Sequence, residues 1–138
     1  MAARDKIHSA VKNALIKDGW KITADPLTLR YGGKKVEIDL AAEKLLAAER
    51  GGEKIAVEIK SFIGQSTVND LENAVGQYGI YAGIMEEMEP DRKLYLAIGK
   101  SVYDELKAMK MFTMIVKRFQ IALIVVSVEK EEIVQWNP

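Results

Sequence analysis

Glu58-Ile59-Lys60 ends an apolar run that begins at Ile55, and Asp39 closes another such run nineteen positions earlier. Alternate side chains of a strand share one face, so Glu58 and Lys60 point one way and Ile59 the other. Two carboxylates can hold a divalent cation, and a neighbouring ammonium can polarise a water or a phosphate oxygen. Those are the groups needed to hydrolyse a phosphodiester bond. Glu-x-Lys by spacing alone is also what an exposed cross-strand ion pair looks like, worth at most about 1 kcal/mol. The elements that carry the three residues therefore decide their meaning.

Residues 3 to 18 place Ile7, Val11, Ala14 and Leu15 at helical spacing, and Asp18-Gly19 stops the helix. Trp20 to Ile22, Leu27 to Tyr31 and Val36 to Leu40 have strand character, with Gly32-Gly33 as a turn. Ala41 to Arg50 is rich in helix formers. It lies between two strand-like runs and ends at Gly51-Gly52, a two-residue hairpin turn, so Leu45 to Arg50 is predicted to pair with Glu53 to Lys60. Ser66-Thr67 caps a helix reaching about Met88, with Val68, Leu71, Ala74, Val75 and Tyr78 as its buried side. Leu94 to Ile98 is a strand, Ser101 opens a helix through Lys110 or beyond, Ile121 to Val128 is a central strand, and Ile133 to Trp136 is the last. The order predicts one α/β domain over residues 1–138, a mixed sheet flanked by helices.

A tight turn at Gly51-Gly52 sets Leu45 opposite Glu58 and Glu43 opposite Lys60. Asp39, Glu43, Glu58 and Lys60 then share one sheet face. Asp39 lies six residues beyond Leu45, roughly 20 Å along a straight strand. Either the chain bends or bulges between Leu40 and Lys44 to bring Asp39 to Glu58, or Glu43 takes its place. On the long helix Asn69, Asn73, Gln77 and Tyr81 follow at i, i+4 and form a polar stripe. Gln77 and Tyr81 can reach a phosphate or a metal-bound water if that stripe faces the site. Asn73 and the lone His8 of the first helix are candidates to line it.

Composition narrows the classes. The 138 residues are 49% hydrophobic and 29% charged, a globular balance. The absence of cysteine excludes disulfides, zinc–thiolate sites and cysteine nucleophiles. With no secretory hydrophobic region and no apolar run of membrane-spanning length, a cytoplasmic protein is expected. Twenty basic and twenty acidic residues leave no net charge, so bulk attraction to DNA is not available and any grip on it must be local, shared with a partner, or built by a dimer. Lys34-Lys35 and Lys117-Arg118 read as solvated faces, and Met85, Met88, Met109, Met111 and Met114 as core filler or an oligomer surface.

Asp39, Glu58-Ile59-Lys60 and the following Gln77-Tyr78-Gly79-Ile80-Tyr81 resemble the PD-(D/E)XK nuclease superfamily, in which RecB-type nucleases share a Gln-x-x-x-Tyr motif. Ile38 stands where the superfamily's name has proline. Longer runs resemble the XisH family, the fdxN-element excision controlling factors of cyanobacteria. They include residues 11–20, Ala47-Ala48-Glu49-Arg50-Gly51-Gly52, Ile55 to Phe62, and Glu89-Pro90-Asp91-Arg92, and the likeness covers essentially the whole chain. The resemblance implies a restriction-endonuclease-like core and a role in programmed DNA excision beside a site-specific recombinase and a small companion control protein. It implies Asp39, Glu58 and the Ile59 carbonyl as ligands of Mg²⁺ or Mn²⁺, and Asp39, Glu58, Lys60 and Gln77 as the catalytic set. It fits equally a regulatory subunit that keeps a nuclease fold without cutting.

Overall fold

The computed structural model describes residues 3–47, 51–64 and 66–138. Helix α1 (Ala3–Lys17) leads into β1 (Lys21–Ala24), β2 (Leu27–Tyr31), β3 (Lys34–Ile38), β4 (Leu40–Ala47) and β5 (Gly51–Ile59). Helix α2 (Thr67–Met88), β6 (Arg92–Gly99), α3 (Lys100–Leu106), α4 (Lys110–Arg118), β7 (Leu123–Ser127) and β8 (Glu132–Asn137) follow. Six strands form one sheet in the order β1-β4-β5-β6-β7-β8. The β5-β6 and β6-β7 pairs are parallel, and β1-β4, β4-β5 and β7-β8 are antiparallel. The β2–β3 hairpin is a separate two-stranded sheet.

Period-two alternation sorts the sheet into two cores. Ile55 and Val57 pack with Ile7, Val11 and Leu15 of α1, while Ala56 joins Leu71, Ala74 and Tyr78 of α2 and Phe112 of α4 on the other face. Both faces of β6 and β7 are covered, and Leu94–Ile98 and Leu123–Val126 are buried accordingly. This is a mixed α/β fold with a mixed sheet flanked by helices. Among the described residues no helix is long and apolar enough to cross a membrane.

Three expectations change. The predicted pairing of Leu45 with Glu58 and Glu43 with Lys60 is replaced by Leu40 with Val57, Glu43 with Lys54 and Leu45 with Gly52. Gly51 and Gly52 are strand residues, and β4 connects to β5 through residues 48–50, which lie outside the described residues. The register therefore moves by six positions, an even number, so each side chain keeps its face. The helix predicted from Ser101 is two helices broken at 107–109, where Met109 is extended (φ −92°, ψ 124°). One straight helix would set Leu106 and Phe112 about 120° apart; the break lets both enter the same core. Finally β7 is not central but one strand in from the edge, covered by β8.

The α2 helix starts as expected, with the Ser66 hydroxyl accepting from the Asn69 N–H at 3.2 Å. Its buried side differs from the expected one: Val68 is 39% exposed, Val75 is half-buried, and Asp70 is buried. Tyr78 ties α2 to the sheet, its hydroxyl donating to the Leu94 carbonyl (3.1 Å) and accepting from the Ala122 N–H (3.0 Å).

Candidate functional site

Asp39 occupies the bend where the chain leaves the β2–β3 hairpin and enters the main sheet. The pairing of Leu40 with Val57 then sets Asp39 beside Glu58, the next residue of β5. Two hydrogen bonds fix the pair: the Ile59 N–H donates to the Asp39 carboxylate at 2.7 Å, and the Asp39 N–H donates to the Glu58 carboxylate at 3.3 Å. The expected bend or bulge between Leu40 and Lys44 is absent on the β5 side: β4 runs from Leu40 to Ala47, and its register on β5 alone brings Asp39 to Glu58.

Both acids are partly buried in a cleft of about 550 Å³ at the carboxyl end of β5, which also takes in Lys60, Ser61, His8 and Gln77. Crevices beyond the carboxyl ends of parallel strands are where α/β sheets bind ligands. Lys60 is anchored through its backbone, its N–H donating to the Ala97 carbonyl at 3.0 Å, so the strand end that presents the side chain is held to β6. Burial, and then the charge and side-chain hydrogen bonding of Asp39, push the Glu58 carboxyl up to about 8, against the bond from the Asp39 N–H and the Lys60 ammonium. Two carboxyls this close do not both ionise readily. Tyr81 lies near enough that, after burial, the charges of Glu58 and Asp39 raise its phenol.

The other predicted lining residues separate. His8 lines the cleft and bonds through Nε2 to Asp25 at 2.9 Å; Lys12 bonds the other Asp25 oxygen at 2.8 Å and, with His8, holds that carboxyl below its usual range. Glu43 is outside the cleft. It lies four residues along β4 from Asp39, roughly 13 Å at strand rise, and faces Arg92 at 3.5 Å. It therefore does not replace Asp39. Asn73 is exposed and also outside the cleft: it lies about 60° around the helix from Asp70, which lines it. The α2 residues that line the cleft are Asp70 and Gln77, seven apart and within about 20° of one another around the helix, with Tyr81 close to the two acids.

Asp70 and Asp5 line the cleft and were not anticipated. Asp70 accepts from the Gly64 N–H at 2.9 Å, and a Cβ at Gly64 would come within 2.5 Å of its oxygen, so the β5–α2 connection lies directly on this carboxylate. Its signal in the sequence is the i+7 relation to Gln77, which a stripe counted in steps of four does not show.

Among the described residues no three His, Asp or Glu side chains converge on one point. The groups that could hold a cation there are the Asp39 and Glu58 carboxylates, and Ile59 also lines the cleft. That suits a cation which takes one or two carboxylates and keeps much of its water, as Mg²⁺ does, and not a fully enclosed one.

The XisH protein family model matches residues 1–134, and the chain belongs to the XisH family. Two solved structures share its fold, each with a TM-score of 0.88. One, an XisH family protein from Nostoc punctiforme, is 38% identical and aligns over 97% of this chain and 100% of its own. The other, an fdxN element excision controlling factor protein from Anabaena variabilis, is 41% identical over 98% of this chain and 100% of its own. No curated protein matches the chain.

Proposed function

We propose that this XisH-family chain is a divalent-cation-dependent endonuclease of the PD-(D/E)XK type that serves the excision of a DNA element. The observation that carries the reading is the convergence of Asp39 with Glu58-Ile59-Lys60 at one crevice, with Gln77 and Tyr81 presented from α2. Asp39, Glu58 and the Ile59 carbonyl would hold Mg²⁺ or Mn²⁺, which when bound supplies a Lewis acid for the phosphate and a more acidic water. The Lys60 ammonium would donate to the oxygen of the attacking water and hold it in line; as that oxygen forms its bond to phosphorus its proton passes to solvent, and the leaving oxygen takes up a solvent proton as its bond to phosphorus breaks. Gln77 donates from its amide to a non-bridging phosphate oxygen. The name of the Anabaena relative supports a role in excision, and the zero net charge supports shared DNA binding, with a companion control protein and a recombinase as the partners.

A cation titration across pH tests the ligand assignment. Because Glu58 holds its proton more tightly folded than unfolded, its contribution to stability is complete below about 4.5 and is lost as pH rises through about 8. The cation-free protein should therefore lose a few degrees of Tm from pH 5 to pH 8, at about 3 °C per kcal/mol for a chain this size. Mn²⁺ should restore it most at the alkaline end, where it no longer competes with the proton. Glu58→Gln should remove both effects. An unchanged Mn²⁺-induced Tm shift in Glu58→Gln would place the cation elsewhere.

A further inference from the structure

The zero net charge conceals a segregation. Residues 61–91 hold six acids (Asp70, Glu72, Glu86, Glu87, Glu89 and Asp91) and no Lys or Arg, whereas residues 106–128 hold Lys107, Lys110, Lys117 and Arg118 and no acid. These stretches contain α2 and α4, which pack in one layer on the same face of the sheet and share a core. A groove of about 790 Å³ opens between the carboxyl-terminal halves of the two helices, with Glu86 on one wall, Lys117 on the other, and Asp91, Arg92 and Lys93 at its end.

The outward surfaces of the two helices are complementary in shape as well as charge. On α2, Glu72, Gly76, Gly79, Gly83 and Glu87 follow at helical spacing, and all are exposed. A Cβ at any of these three glycines would meet nothing within 4 Å, so no packing inside the chain accounts for residues that weaken a helix interior. Beside them Ile80 is 62% exposed. On α4, Met111 (43% exposed) and Met114 (55%) stand between Lys110 and Lys117. Among the described residues Glu72, Glu86, Lys110, Lys117 and Arg118 form no ion pair. One helix thus offers bare backbone flanked by anions, and the other flexible apolar side chains flanked by cations.

We propose that this layer is a homodimer interface in which the α4 of each copy lies across the α2 of the other. A two-fold axis running along the groove achieves this, because rotation about an axis in the contact plane exchanges the acidic and basic halves of the surface. The contact is isologous and closes at two copies. Methionine, adaptable in shape, fills the notch left by the glycines. Nucleic acid on α4 is disfavoured by Met111 and Met114 at the centre of the basic face and by the acids across the groove. The inference is independent of the proposed chemistry.

Charge exchange tests it. Sedimentation of the wild type at low salt should give twice 15.4 kDa, with dissociation promoted by added salt. Lys110→Glu/Lys117→Glu sets acid against acid in both contacts, and Glu72→Lys/Glu86→Lys sets base against base, so each variant alone should sediment as a monomer. Mixed in equal amounts, the two restore opposite charges in both contacts and should form a heterodimer. The mixture also separates a lost interface from a lost fold. A monomeric wild type at about 100 µM, where even weak specific interfaces associate, a dimer in either variant alone, or a mixture that stays monomeric would each overturn the proposal.

Discussion

A Lys60→Met protein is expected to fold as the wild type does and to lose cation-dependent DNA cleavage by about 10²–10⁴-fold, the range that a positioned proton-handling group commands. The fold should survive because the bond that Lys60 contributes to the scaffold is from its backbone N–H to the Ala97 carbonyl, which the substitution keeps. The side chain is half-buried at the cleft and faces the Asp39–Glu58 pair, where its charge opposes the rise in the Glu58 carboxyl. Methionine preserves the apolar stem and removes only the ammonium. Circular dichroism and initial rates of plasmid nicking measure the two halves of the expectation; cleavage at the wild-type rate by Lys60→Met would remove Lys60 from the chemistry.

Tyr78→Phe is expected to cost about 2–3 kcal/mol of unfolding free energy in a denaturant titration. The Tyr78 hydroxyl sits 3.1 Å from the Leu94 carbonyl and 3.0 Å from the Ala122 N–H, both in buried surroundings. Deleting one oxygen leaves the Ala122 N–H unsatisfied and takes a donor from Leu94, each at roughly 1–3 kcal/mol. The ring still fills its place in the core, so a loss below about 0.5 kcal/mol, the scale of an ordinary surface change, would mean that the bridge contributes little.

Tyr78 also shows where sequence reading stops. Its helical spacing with Leu71 and Ala74 marks it as buried, but nothing in that spacing says that its hydroxyl closes the gap between β6 and β7. The Asp39–Glu58 pair shows the same boundary from another side. Parity along β4 and β5 is a local property, and it correctly puts both acids on one face. Which residues stand opposite depends on how many residues the β4–β5 connection uses, and Gly51-Gly52 offered a plausible but incorrect turn. Moving the register by six positions turns a separation of roughly 20 Å into adjacency.

The strand Leu40–Ala47 is made of helix formers. Leu40, Ala41 and Ala42 extend because they fill the sheet between two helical layers, where small side chains fit and tertiary burial overrides propensity. The stripe on α2 was half right for a geometric reason. Asp70 and Gln77, seven residues apart, lie within about 20° of one another and line the cleft, whereas Asn73 lies about 60° from Asp70 and falls outside it. The charge segregation between α2 and α4 was fully written in the sequence, but its meaning needed the fold, which sets the two helices side by side in one layer.

The central claim is that Asp39 and Glu58 hold the cation of a phosphodiester-cleaving site. Its most direct measurement is the nicking of supercoiled and branched DNA by the purified protein in Mg²⁺ or Mn²⁺, run beside Glu58→Ala and a chelator control. Cleavage by the wild type that requires the cation and falls about 10²–10³-fold or more in Glu58→Ala, the loss typical of a key electrostatic group, is the expected result. Cleavage at the wild-type rate by Glu58→Ala, or none by the wild type with either cation on either DNA, would contradict it.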